Sequence, residues 1–336
     1  MLLEWEKISH AYIINGEEGS GKMNLAIHFA KALQCERNNS NKAINEDGER
    51  IAVPGTACGQ CKSCKQTDSK NQPDIKYITY EKSGIGVDEI REQINDDIDI
   101  KPYSSPYKIY IVPESEKMTV QAQNALLKTI EEPPEYAIII LLTTNADTFL
   151  QTILSRCVML NIRPVKEDII KNQLTSQYGV GDYEARVAAT FSNGNPGKAI
   201  KLATSEEFKE LKQYVVGMFM SLEKGGMDII GEAIKKTGTF KKQIDEYFSL
   251  MRIWFRDILV YKATKEEDQI IFQDEYMNNR KMSQTYSFDD INDILKAIDM
   301  AESRIKSNVN FDSTIEILLL SIKEKLQENK HRLDNS

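Results

Sequence analysis

The stretch AYIINGEEGSGKM, residues 11–23, constrains this chain most. Four apolar residues lead into a loop of the form G-x-x-x-x-G-K, and a helical pattern follows, with Leu25, Ala26, Phe29, Ala30 and Leu33 on one face. In such a loop Gly16, Gly19 and Gly21 let backbone N–H groups turn toward phosphate oxygens. Lys22 reaches the terminal phosphates, and the start of the next helix adds its dipole. Strand, loop and helix in this order predict a phosphate loop, not merely a glycine-rich turn.

The chemistry that normally accompanies the loop is incomplete. The residue after the lysine usually carries a hydroxyl that ligates Mg²⁺; here it is Met23, whose soft thioether a hard cation does not accept. Glu17 and Glu18 add negative charge beside a triphosphate. A later strand should end in a metal-holding carboxylate, but KIYIVPESEKM places Pro113-Glu114 at that point. With both magnesium ligands missing, hydrolysis is not expected of this chain.

Near-continuous apolar runs at 11–14, 75–79, 108–112, 137–142 and 157–162 alternate with helical patterns at 87–98, 115–132 and 146–154. That alternation predicts a parallel sheet covered on both faces. Beyond about residue 163 the strand signal ends and helical patterns continue to the C-terminus. SNGNPGKAIKLA (192–203) closes one helix and opens another. A chain of 336 residues exceeds one ordinary core, so two or three domains are expected. Trp254, Phe255, Ile258 and Leu259 sit at helical spacing and read as a core stripe.

A net charge of −8 argues against a chain that wraps DNA by itself. No apolar run approaches membrane-spanning length and the N-terminus lacks a signal-peptide core, so a cytoplasmic protein with no membrane partner is expected.

Three of the five cysteines fall in CGQCKSC. Cys58, Cys61 and Cys64 are too closely spaced for a disulfide framework and suit a metal in a reducing compartment. Cys35 is the fourth candidate for a closed tetrahedral zinc site. CxxCxxC also opens one iron–sulfur pattern, but its next required cysteine is absent: KQT follows. Cys157 reads as packing.

QAQNALLKTIEEPPEYAIIILLTTN (121–145), TILSRC (152–157), HAYIINGEEGSGK, the cysteine cluster and the NPGKA turn together resemble the AAA+ subunits of the bacterial DNA polymerase III clamp loader. RIKSNVNFDSTIEILLL (304–320) resembles that family's ending, so the likeness spans most of the chain and is weakest over 205–300. It implies an α/β parallel-sheet AAA+ (P-loop) domain over 1–163 with a zinc-binding insertion at about 35–66. A small helical lid domain over 164–205 and an all-α collar for oligomerisation over 206–336 would follow.

Within the family the chain resembles the type that does not hydrolyse ATP. Members carry one more helix before the first strand to help hold adenine; this chain's short front further weakens nucleotide binding. ATP or ADP binding at Gly16, Gly19, Gly21 and Lys22 is therefore expected to be weak or lost.

The resemblance maps an arginine finger onto Arg156, acting in trans on a neighbour's ATP; a guanidinium can stabilise a transferring phosphoryl group. Without the resemblance, Arg156 reads as a local salt bridge. Thr143, Thr144 and Asn145 stand where a phosphate sensor could lie, but a helix N-cap is the preferred reading. Lys198 replaces a second sensor's arginine without its forked geometry. The partners implied are gamma/tau and delta subunits in a hetero-pentamer, the sliding clamp, and primer–template DNA through the complex. The alternatives are an ATP-hydrolysing gamma/tau-like subunit and a non-catalytic zinc-bearing scaffold.

Overall fold

Five apolar runs form a single parallel sheet in a computed structural model that describes residues 8–39, 56–81, 84–226 and 228–334. The strands are β1 (Ala11–Asn15), β2 (Ile75–Tyr77), β3 (Lys108–Val112), β4 (Ala137–Thr143) and β5 (Val158–Asn161). They lie in the order β2-β3-β4-β1-β5. β3 coincides with its expected run, and the other four are trimmed or extended at their ends.

The central strands are apolar throughout because both faces are covered. Ile13, Tyr110, Val112, Ile139 and Leu141 enter the core on one face. Tyr12, Ile14, Ile109, Ile111, Ile138 and Ile140 enter the other. This period-two division fixes the register, since a one-residue slip would exchange the two faces. Helix Lys22–Gln34 covers the second face through Ala26, Ala30 and Leu33, all fully buried. Leu25, expected on that face, is 42% exposed. It lies one position outside the i, i+4, i+7 row that meets the sheet.

Two expected helices are altered. Residues 87–98 run helically, but Arg91–Asn95 form a π-type turn between α-helical segments. Residues 146–154 break into a 3₁₀ turn, Ala146–Thr148, and a short helix, Gln151–Leu154. The cause of the break is Gln123, a buried side chain on helix Val120–Glu131. Its Oε1 accepts from the Leu150 N–H at 2.8 Å, and its Nε2 donates to the Thr148 carbonyl at 3.1 Å. Phe149 and Leu150 are thereby held extended, and Phe149 is buried in the core.

This sheet unit comprises Met1–Val165 together with Asn195–Gly197. The second unit, Lys166–Gly194 with Lys198–Ser336, is helical throughout its described residues. Its longest helices are Glu206–Lys224, Ile244–Thr264, Phe288–Lys306 and Phe311–Asp334. Trp254, Phe255 and Ile258 are buried as the stripe predicts, with Phe219 packed on both rings, and Leu259 is half-buried. Asp257, inside the stripe, is fully buried. Its carboxylate accepts the Ile271 and Phe272 N–H groups at 2.9 and 2.8 Å and pairs with Arg256 at 3.0 Å. The second half of the insertion that joins helix Lys22–Gln34 to the cysteine triplet is described from Thr56 onward; residues 40–55 lie outside the described residues.

Candidate functional site

The phosphate loop leaves the C-terminal end of β1, where open parallel sheets place ligands. Gly19 and Gly21 take positive φ values of 79° and 93°, backbone that side chains rarely adopt. Lys22 is directed back into the loop: its Nζ donates to the Gly16 carbonyl at 2.5 Å and the Glu17 carbonyl at 2.8 Å. Burial lowers its pKa, against the pull of Glu116, Glu18 and Glu17. Within the same unit, Asn195 Nδ2 donates to the Glu18 carbonyl at 2.7 Å and the Gly197 N–H to the Gly19 carbonyl at 2.9 Å. Only a glycine fits at 197, because an added Cβ would lie 2.7 Å from Gly19 Cα.

A cavity of about 490 Å³ opens over the loop, lined among others by Glu18, Lys22, Met23, Pro113, Glu116 and Thr144. Among the described residues of the lining, Lys22 is the one cation, against Glu18, Glu114 and Glu116. Met23 is half-buried and also packs against the core beneath β1. The residues therefore do not fit a magnesium–nucleotide complex: no hydroxyl follows Lys22, and Pro113 offers no ligand. Glu114, beside it, has a left-handed backbone, φ 46°. Its carboxylate bonds Lys117 at 2.7 Å and the Tyr80 hydroxyl, and these bonds hold it below the usual carboxylate range.

Glu116, which the sequence reading passed over, belongs to this site. Its Oε1 accepts from Thr144 Oγ1 at 2.7 Å. The turn Ser115–Lys117 carries it there, and Ser115 anchors the turn by donating to the Leu142 carbonyl at 2.7 Å. Only the left-handed step at Glu114 reveals that Glu116 faces the loop, and nothing in the residue pattern announces that step. Asn145 does cap the following 3₁₀ turn, accepting from the Asp147 N–H at 3.0 Å, whereas Thr144 goes to Glu116.

Arg156 lies beyond the helix Gln151–Leu154, 40% exposed. Its Nη2 pairs with Glu131 at 3.0 Å, and its Nη1 donates to the Thr152 carbonyl at 3.0 Å and to Ser155 Oγ at 3.2 Å. Lys198 falls in the second unit.

Cys35, Cys58, Cys61 and Cys64 do converge: their Sγ atoms all lie within 4.8 Å of one another. Cys58 and Cys64 sulfurs are 3.9 Å apart, close to the ~3.8 Å edge expected of four sulfurs bound at ~2.3 Å around a tetrahedral zinc. Backbone N–H groups point at the sulfurs: Cys58 N–H to Cys35, Cys61 N–H to Cys58 and Cys64 N–H to Cys61, each at 3.4 Å. The Gln60 and Cys61 N–H groups pull the Cys58 thiol down to about 6, while burial pushes that of Cys64 up. The four cysteines can hold a metal ion. Cys157 stands apart, packed against the core, and burial pushes its thiol up to about 12.

The profile of the DNA polymerase III delta-subunit family matches residues 2–166. DNA polymerase III subunit delta′ of Bacillus subtilis is 27% identical over 96% of this chain and 93% of its own length. The likeness to the delta-subunit family is thus to residues 2–166 of this chain. Other DNA polymerase III subunits are also similar to this chain. The tau subunit of Bacillus subtilis is 33% identical over 59% of this chain, which covers 33% of tau. A gamma-subunit-related protein of Thermotoga maritima covers 95% of this chain and is itself covered to 95%, at 21% identity and a TM-score of 0.37. The delta-family match rests on the sheet unit, which carries the phosphate loop, the cysteine cluster and Arg156. No helix among the described residues is long and apolar enough to cross a membrane.

Proposed function

We propose that this chain is the delta-prime-type subunit of a clamp loader, which helps place the sliding clamp on primed DNA. The similarity to a delta′ subunit along nearly the whole of both chains carries this reading. It works in the cytoplasm in a hetero-pentamer with gamma/tau and delta subunits, meeting DNA through the complex. Residues 206–336 form the collar that holds the assembly together, and 164–205 form a lid.

Its own phosphate loop does not hydrolyse ATP. Met23 and Pro113 speak for that, and against the rival reading of an ATP-hydrolysing subunit. Arg156 is given in trans to a neighbour's ATP, where a planar, permanently charged guanidinium stabilises the transferring phosphoryl group. The ion at Cys35, Cys58, Cys61 and Cys64 is zinc, in a closed site that ties the insertion to the helix leaving the phosphate loop.

Reconstitution tests the assignment. Clamp loading on primed DNA is measured with tau and delta subunits, with and without this chain. Loading that requires the chain supports it. Loading at full rate without it, or no co-assembly with tau and delta, refutes it.

A further inference from the structure

The sheet unit ties down its own phosphate loop. Lys22 spends two of its three donors on the Gly16 and Glu17 carbonyls. The Glu18 and Gly19 carbonyls accept from Asn195 and Gly197. Thr144, at the end of β4, gives its hydroxyl to Glu116. The other oxygen of Glu116, Oε2, is buried and has no hydrogen-bond partner. A buried carboxylate oxygen left unpaired is costly unless a charge compensates it. Lys22 lines the same cavity, and of the acids Glu116 influences it most, ahead of Glu18 and Glu17.

We infer that Glu116 is a built-in occupant of the terminal-phosphate position: it takes the hydrogen bond of Thr144, faces Lys22, and so keeps nucleoside triphosphates out of this loop. The lost magnesium ligands explain why hydrolysis fails, but they do not by themselves empty the loop, since a triphosphate can bind a lysine and backbone N–H groups without metal. A carboxylate in the cavity does empty it. A terminal phosphate entering there meets like charge in a partly buried place, where repulsion is poorly screened. Divalent metal would relieve that repulsion, and this chain has given up the ligands that hold it. Glu116 therefore keeps the loop in one conformation regardless of nucleotide. The inference rests on reading Gly16–Lys22 as a phosphate loop and is independent of the role of Arg156.

The test is binding of a fluorescent ATP analogue to the full chain, in EDTA and in Mg²⁺. Glu116→Gln keeps size and a hydrogen-bond acceptor but removes the charge. It is expected to tighten binding in EDTA by about tenfold or more, as removal of one nearby like charge should. Adding Lys22→Ala to that variant should abolish the gain; a gain that survives would overturn the phosphate-loop reading itself. Thr144→Val, which leaves the charge in place, should bind as weakly as wild type. Glu116→Ser repeats the comparison if Glu116→Gln fails to fold. Equal affinity in wild type and both charge-removing variants overturns the inference. So does tight binding by wild type. Weaker Mg²⁺–ATP binding in Glu116→Gln overturns it as well, because Glu116 would then be a metal ligand.

Discussion

Glu131, the last residue of helix Val120–Glu131, and Arg156, two residues beyond helix Gln151–Leu154, form an ion pair of 3.0 Å. Both side chains remain substantially exposed, 44% and 40%. A pair so wet contributes between zero and about 1 kcal/mol. Release of this pair therefore costs little. Glu131→Gln should lower the unfolding free energy by less than about 1 kcal/mol. Urea denaturation of the two proteins checks this. A larger loss would mean that the pair is a structural tie.

The cysteine cluster predicts bound zinc, one ion per chain, by metal analysis of protein prepared without chelator. Cys58 ionises near neutrality because two N–H groups point at its sulfur, so fewer protons must leave when metal binds. Chelation, or Cys64→Ser, should speed protease cleavage around helix Lys62–Asp68, which Cys61 caps through its sulfur. The sheet core, which the cluster does not enter, should melt as before. Cys157, its thiol raised by burial, should react with alkylating reagents far more slowly than Cys58 of the metal-free protein.

Asp97 sets a pH dependence. Burial alone would raise its pKa, but hydrogen bonds from Lys108, Lys76 and Tyr110 together hold it below the ordinary carboxylate value. Lys108 is itself nearly buried, its Nζ 2.8 Å from the carboxylate. A depressed folded pKa contributes stability that is complete above the unfolded value and is lost as pH falls through the folded one. Asp97→Asn should cost about 2–4 kcal/mol near neutrality, since it leaves a buried ammonium unpaired. The difference from wild type should shrink as pH falls below the ordinary carboxylate value and through the depressed folded one, where the wild-type carboxylate also protonates. Urea midpoints across that range decide it; a gap constant with pH would exclude Asp97 as the titrating group.

The sheet was legible because strands buried on both faces are written as unbroken apolar runs. Ile109, Ile111, Ile138 and Ile140 need no knowledge of their neighbours to be assigned. The phosphate loop and the cysteine triplet were legible because each is a local pattern with fixed spacing. What escaped depends on residues distant in sequence. Gln123 breaks the expected helix at Phe149 from 26 positions away. Glu116 reaches Thr144 only because Glu114 adopts a left-handed backbone. Asp257 is buried by the N–H groups of Ile271 and Phe272, and no periodicity marks an acid as interior. Cys35 was a candidate by elimination among few cysteines, and proximity in space joins it to the triplet.

The role of Arg156 in trans is the claim on which the account turns. Its most direct measurement is DNA- and clamp-stimulated ATP turnover by the reconstituted loader, with this chain wild-type and with Arg156→Ala, assembly being verified for both. Turnover is expected to fall by about 10³-fold or more at the one site that Arg156 is proposed to serve, with the assembly intact. Single-turnover kinetics would show that site as a missing fraction of the ATP hydrolysed. Full hydrolysis at an unchanged rate in a fully assembled Arg156→Ala loader would contradict the account and leave this chain a scaffold.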